Sequence, residues 1–298
     1  MKSAGRFICT LVFAGILVQL YGCRGEEAAY NKVKDKSVNT LLIILITGSD
    51  PDIRSAAAFE LGRQGKSAKK VIPVLMEHLK DPEPKVRIYS AISLGKFGDR
   101  AGEASEALAE SLKDDHVYVK GNAAIALGKI GPAASSALPS LIETLKDRHP
   151  EVRMYTASAL ARLGPVAQEA VPALVEGLED KNRPALLSMI YALGNIGPAS
   201  RDAIPRILKL LKDGSEDVRR SAVHCLGKIG PDSASAIPAI VDYLKRGNEE
   251  ETRTAVTALG MIGPKAKATV SLLEGLLSDP DPETREEVLR ALKKINSG

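Results

Sequence analysis

The stretch that decides the fold is Asp114–Lys146, DDHVYVKGNAAIALGKIGPAASSALPSLIETLK. Val119, Ala123, Leu127 and Ile130 fall at i, i+4, i+8 and i+11, one apolar stripe of an amphipathic helix. Gly131 is placed to end that helix with a left-handed residue, and Pro132 cannot continue it. Pro139 then stands in the first turn of a second helix, where a missing N–H costs little, and Leu138, Leu141, Ile142 and Leu145 give that helix its own stripe.

The unit recurs every 33 residues. Gly131 has counterparts at Gly65, Gly98, Gly164, Gly197, Gly230 and Gly263, and Leu127 belongs to a column running from Leu61 through Leu94, Leu160, Leu193, Leu226 and Leu259 to Leu292. A third column closes the second helix at Leu79, Leu112, Leu145, Leu178, Leu211, Leu244 and Leu277. Pro73, Pro172, Pro205 and Pro238 repeat Pro139. Two short helices cannot bury both stripes alone, so each unit must pack on its neighbours. The expected fold is therefore all-α: an α-solenoid of 33-residue helix-turn-helix repeats.

Val38–Ile46 (VNTLLIILI) reads as a lone second helix, an N-terminal half-repeat, because Leu42 and Ile46 lie one period before Leu75 and Leu79. Seven full repeats follow, beginning near Ser49, Asp81, Asp114, Asp147, Asp180, Asp213 and Arg246. Asp279–Ile295 is a final capping helix whose outer face carries Arg285, Glu286, Glu287, Arg290, Lys293 and Lys294.

Asp147 and Arg153, followed by Ala157, Leu160 and Gly164, give the chain its resemblance to the short HEAT-like repeat of the phycobilisome bilin-lyase type. Asp81/Arg87, Asp114/Lys120, Asp213/Arg219 and Asp279/Arg285 repeat the pair. The resemblance spans roughly residues 38–296 and implies a ladder of charges linking the turns of adjacent repeats, with second helices on a concave side. The ankyrin TPLHxA signature is absent, and a chain without Trp lacks the tetratricopeptide anchors.

Before the solenoid, residues 1–22 read as an export signal. Lys2 and Arg6 precede an apolar run, Phe7–Leu20, too short for a membrane span. The run ends Leu20-Tyr21-Gly22-Cys23, which resembles the lipobox of bacterial lipoproteins, with Tyr21 in place of the usual small residue. That resemblance implies lipidation at Cys23 and a protein anchored to a membrane by acyl chains. Arg24, rather than Asp, after the cysteine implies the outer membrane in a Gram-negative cell. Arg24–Lys36 is polar and without stripes, so residues 23–36 read as a lipidated Cys and a polar tether, and 37–298 as the solenoid.

Composition narrows function. The net charge is +4, and removing Lys2 and Arg6 leaves basic and acidic residues nearly balanced, which argues against nucleic acid as a partner. His78, His116, His149 and His224 occupy four different places in the repeat, and no His-Glu dipeptide of the HEAT-like di-iron hydroxylases occurs. No metal, cofactor or catalytic constellation is expected. Cys225 stands in a column otherwise filled by Ser93, Ala126, Ala159, Ala192 and Ala258, as a buried small residue would.

What remains is a surface. The second helices carry a polar column at Glu77, Glu110, Glu143, Glu176, Lys209 and Asp242, interrupted towards positive charge at Arg206 and Lys209. Its blander reading is a solvated i,i+3 Glu/Lys pattern with Lys80, Lys113, Lys146, Lys212 and Lys245. Its sharper reading is a track for a partner. Repeats 2, 5 and 7 break the pattern: Asp99 and Glu106 in repeat 2, Arg183-Pro184 and Leu186 in repeat 5, Arg246, Glu251 and a displaced Arg253 in repeat 7. The sequence thus predicts a non-catalytic scaffold for a protein or extended peptide, held at a membrane by its lipid. The alternative is a bilin-lyase-like or chaperone-like accessory protein acting on a partner protein.

Overall fold

The computed structural model describes residues 23–212 and 215–297, with side chains from residue 27 onward. Residues 1–22, read above as the export signal, and Asp213 of the charge ladder lie outside the described residues. Contacts divide the chain into two compact units, 1–97 and 98–298.

In the first unit, α1 (Cys23–Val33), α2 (Val38–Thr47), α3 (Pro51–Gln64), α4 (Ala68–Glu77) and α5 (Pro84–Lys96) alternate between first and second helices of the repeat. The stretch read as a tether is a helix. α1 packs on α3 as α3 packs on α5, burying Ala29 and Val33. The expected half-repeat is therefore a complete helix pair. Aromatic edges tie the first helices together: Tyr30 meets Phe59 at 6.2 Å and Phe59 meets Tyr89 at 5.7 Å, both T-shaped.

Gly65 takes the expected left-handed conformation (φ 61°, ψ 11°). With no proline after it, the chain re-enters a helix at Ala68, so Pro73 lies inside α4 rather than in a first turn.

The second unit comprises α6 (Ser105–Ser111), α7 (Val117–Ile130), α8 (Leu138–Thr144), α9 (Pro150–Leu163), α10 (Val171–Glu176), α11 (Arg183–Ile196), α12 (Ile204–Leu210), α13 (Glu216–Ile229), α14 (Ile237–Arg246), α15 (Glu249–Ile262), α16 (Val270–Gly275) and α17 (Pro282–Asn296). The glycines that precede proline are not left-handed helical. Gly131 adopts φ 71° and ψ −142°, the mirror image of a strand conformation. The cause is local: the residue before proline is kept out of helical ψ by the pyrrolidine ring, and only glycine combines extended ψ with positive φ. The turn that follows, Gly131–Ala137, is itself a 3-10 helix leading directly into α8, with Pro139 in its first turn as expected.

First helices stack on first helices: α7 on α9, α9 on α11, α11 on α13, α13 on α15 and α15 on α17. Leu127, Leu160, Leu193, Leu226 and Leu259 are fully buried at these contacts. Gly128 permits a close approach. A Cβ there would lie 2.9 Å from the Ala159 Cα, so α7 and α9 touch backbone to backbone.

Column residues near the two ends are less buried. Leu292 is only half-buried and Leu277, last of the third column, is exposed. In the first unit Ile46 is 56% exposed, whereas its counterpart one period later, Leu79, is 4% exposed. The described residues contain no strand, and the architecture is the all-α solenoid that the 33-residue period demands.

Candidate functional site

The recurring charges are consumed by the architecture. In the second unit, Arg153 on α9 donates Nε and Nη2 to the two carboxylate oxygens of Asp180 at 2.7 and 2.9 Å. Its Nη1 donates to the carbonyls of Asp147 and Arg148 at 2.8 and 3.2 Å. Asp180 meanwhile accepts the Asn182 backbone N–H at 2.8 Å. One side chain thus ties its own turn to the turn of the next repeat. The Arg153 guanidinium holds the Asp180 carboxyl below the usual carboxylate range. Lys120 reaches Asp147 in the same way at 2.6 Å. In the first unit Arg54 and Asp81 form the bidentate version, with contacts of 3.1 and 2.9 Å. The ladder runs from the basic residue of one repeat to the acidic residue of the next, as the resemblance implied.

Repeat 7 rewires this ladder. Arg246 stands where most repeats have Asp, so no carboxylate is available there to cap the turn, and α14 runs on to Arg246 as one continuous helix. Asn248 takes over the capping, with Glu251 as its reciprocal partner. Glu251, buried at the position where most repeats carry Val, also accepts from Arg219 at 3.2 Å. The displaced Arg253 reaches Asp281 at 2.6 Å. The acid lost at 246 is thus supplied at 251. In repeat 5, Leu186 is buried in the place of the ladder arginine, Asn182 caps α11, and Arg183 pairs with Asp217.

The histidines have local work. His78 bridges the carbonyls of Val74 and Leu45 at 2.8 and 3.0 Å. His149 accepts from Arg148 Nε at 3.0 Å, and His116 stands 5.6 Å from Tyr118. His224 is half-buried, and burial pushes its imidazole down. Cys225 is buried, and burial pushes its thiol up to about 12, so it is no nucleophile near neutrality. Among the described residues no three His, Cys, Asp or Glu side chains converge as a metal would require.

The polar column of the second helices is exposed at every position. In the first unit Glu77 ends α4. In the second unit Glu110 lies on α6, Glu143 on α8, Glu176 on α10, Arg206 and Lys209 on α12, and Asp242 on α14. Only Glu110 makes the i,i+3 pair expected of a solvated face, with Lys113 at 3.4 Å. Glu176 instead meets Lys146 of the preceding repeat at 2.9 Å, and Arg206 reaches back to Glu179. Asp242 lies 3.6 Å from Arg246. These pairs are open to solvent and contribute a few tenths of a kcal/mol each. They are therefore easily exchanged for contacts with a partner. Cys23 is the first residue of α1.

The sequence did not point to the groove beside this column, between α12 and α14. It encloses about 380 Å3 and opens onto the same face as Asp242. Its signal was present in the irregularity of repeat 7.

A family model described as HEAT repeats matches residues 38–117, 105–194, 172–260 and 237–297. No curated protein matches the chain. Among solved structures, the Escherichia coli protein YibA is similar at 21% identity, with a TM-score of 0.60 over 94% of this chain and 100% of that one. Two engineered proteins are similar at 20% and 24% identity. They cover 92% and 88% of this chain and 95% and 97% of their own, with TM-scores of 0.45 and 0.40.

Proposed function

This chain belongs to the HEAT-repeat family, and on that footing we propose that it is a non-catalytic scaffold holding a protein or an extended peptide along its second helices. One observation carries the reading. The charges that repeat identically are buried in the ladder, whereas the charges of the second helices are exposed, vary from repeat to repeat and are only loosely paired. A side chain already committed to its own fold cannot also recognise a partner; the second-helix column is free to do so. Its acidic part, Glu110, Glu143 and Glu176, favours a basic segment.

The test is capture from an extract of the source cells by the purified protein and by the triple variant Glu110→Lys/Glu143→Lys/Glu176→Lys. The reading expects the captured polypeptides to be lost from the variant. Undiminished capture of the same polypeptides would sink it. No observation among the described residues favours the bilin-lyase-like or chaperone-like alternative.

The reading includes export and a lipid anchor at Cys23. Its support is the basic start, the apolar run and the lipobox-like Leu20-Tyr21-Gly22-Cys23. Exposed Ile43 and Ile46 on α2, in the same unit as Cys23, suit a protein held close to a lipid surface. Metabolic labelling with a palmitate analogue should mark the wild type and not Cys23→Ala; equal labelling, or none in either, would refute the anchor.

A further inference from the structure

We infer that the outer face of α2, together with the lysine-bearing turns beside it, docks on an anionic lipid bilayer. This inference rests on the membrane-anchored reading and adds the docking surface and the lipid chemistry it takes.

α2 is the odd second helix. Every other second helix among the described residues carries charge, from Lys69, Lys70 and Glu77 on α4 to Glu274 on α16, whereas VNTLLIILIT has none. Its outer face is Asn39, Thr40, Ile43, Ile46 and Thr47, opposite buried Leu41 and Leu45, and Ile43 is 61% exposed. The terminal element of a solenoid ordinarily turns a polar face to water. α17 does so, setting exposed Leu289 among Glu286, Arg290 and Lys293. α2 does not.

Polar groups on and around this face are satisfied within the protein. The Thr47 hydroxyl donates to the Ile43 carbonyl at 2.8 Å, and the hydroxyls of Ser37 and Thr40 bond each other at 2.9 Å. The Ile44 carbonyl accepts the Gly48 N–H at 2.9 Å, and the Leu45 carbonyl meets the His78 ring at 3.0 Å. The Gly48 carbonyl accepts from Arg54 at 3.0 Å. These groups can leave water without losing a bond.

Charge beside the face names the occupant. Lys34 and Lys36 stand in the turn from α1 to α2, and Lys66, Lys69 and Lys70 stand in and just after the turn from α3 to α4. Gln64 donates to the Lys36 carbonyl at 3.0 Å, which holds the two turns side by side. All five lysines are exposed, and none makes an ion pair among the described residues. The carboxylates of the unit do not neutralise them. Asp35 is the one acid in these turns, and Glu60 is spent on Arg63 at 2.6 Å. Asp52 pairs with Lys85, Asp81 pairs with Arg54, and Asp50 caps α3. Glu26 and Glu27 lie in the first half of α1 and Glu77 ends α4, away from the basic turns.

α2 rises about 1.5 Å per residue, so Ile43 lies about 10 Å along the helix from Lys36. Isoleucines at that distance from unpaired ammonium groups match the two layers of a lipid surface, acyl chains beneath anionic headgroups. Lysines are point charges without the directional fork of arginine, which suits a fluid layer of headgroups rather than one oriented carboxylate.

The experiment places the full chain in vesicles of phosphatidylcholine with an equal part of phosphatidylglycerol, or of phosphatidylcholine alone. A coumarin amino acid replaces Ile43 or, as a control, Glu83 before α5, which packs two helix layers from α1. An interfacial apolar face lies about 5–10 Å into the boundary of headgroups and acyl chains, so brominated acyl chains should quench the Ile43 probe at least about twofold and the Glu83 probe not at all. Each lysine at an anionic leaflet favours the surface-bound form about fivefold. Quenching should therefore disappear in phosphatidylcholine alone and in Lys34→Gln/Lys36→Gln/Lys69→Gln/Lys70→Gln, whose unfolding temperature should match the wild type because all four side chains are exposed. Quenching at Ile43 no greater than at Glu83, in protein that floats with the vesicles, overturns the docking and leaves the anchor standing. An Ile43 probe that is shielded from iodide but untouched by brominated lipid means that a polypeptide covers the face, and also overturns it. Quenching that survives without phosphatidylglycerol or in the lysine variant overturns the choice of an anionic surface. Protein that floats with neither vesicle overturns the membrane-anchored reading itself.

Discussion

Replacing Arg153 with alanine tests the ladder that makes repeats into a solenoid. Arg153 makes two contacts to Asp180 and two to the carbonyls of its own turn, and the pair is largely buried, with 20% of the arginine and 7% of the aspartate side chain exposed. Arg153→Ala leaves Asp180 desolvated with only the Asn182 N–H to satisfy it. Removing one partner of a fully buried pair costs about 3–5 kcal/mol, and partial solvent access brings the expectation here to about 3 kcal/mol. The loss should depend on pH. Because the folded pKa of Asp180 is depressed, its contribution is present above the unfolded value of about 3.9 and is lost as pH falls through the folded one. Wild type and variant should thus differ fully at pH 7, and the difference should shrink as pH falls through the depressed pKa of Asp180, leaving the contribution of the two carbonyl contacts.

The assay is urea unfolding followed by helical circular dichroism at pH 7 and pH 3. Since neighbouring repeats are coupled through their interfaces, the variant should also unfold over a broader range. The double variant Arg153→Ala/Asp180→Ala should lose less than the sum of the single losses, with an interaction energy of about 1–3 kcal/mol. A single-variant loss below about 0.5 kcal/mol at pH 7, or a full loss persisting at pH 3, would refute the reasoning.

Four further outcomes follow from the same structure. Gly131→Ala should cost about 1–3 kcal/mol through its positive φ alone, since no atom lies within 4 Å of a Cβ there. Gly128→Ala should be destabilising for a different reason, its contact with Ala159, and should be relieved in part by Ala159→Gly; both are read from thermal unfolding. Glu251→Val should cost about 2 kcal/mol by stranding Arg219 and the Asn248 cap, and Arg246→Asp in that background should recover part of the loss, as Asp180 serves Arg153; no recovery would refute the account of repeat 7. Cys225 should resist an aromatic disulfide reagent at pH 8 in the native protein and react fully in urea, because it is buried with its thiol pushed up to about 12; rapid native reaction would contradict its burial.

Much of this was legible in the sequence because the forces involved are local or periodic. The 33-residue columns, the glycine stops and the second-helix prolines after Gly-Pro turns all depend on a residue and its equivalents one period away, and the ladder between adjacent turns was implied by the resemblance. α1 was not legible: among its described residues it buries Ala29 and Val33 and sets Tyr30 against Phe59 of α3, too little to form a stripe, and its helix is fixed by the packing surface rather than by its own pattern. The ψ of the Gly-Pro glycines followed from the proline after them, not from helix termination in general. Burial at the ends was also hidden, since Ile46 and Leu79 occupy the same column and differ only in whether another repeat stacks beyond them. At the candidate site, the exposed column was visible in the sequence as letters. The groove was not, because it arises from the length of α14, which depends on Arg246 leaving the turn uncapped.

The central claim is that this scaffold works through its second helices. Photo-crosslinking in the source cells tests it most directly, with a benzophenone amino acid placed at Glu143 or Lys209 on the second helices, or at Tyr118, which is 67% exposed on first helix α7. The account predicts one shared polypeptide adduct from Glu143 and Lys209 and none from Tyr118. Adducts from Tyr118 alone, or the same adduct from all three positions, would contradict it.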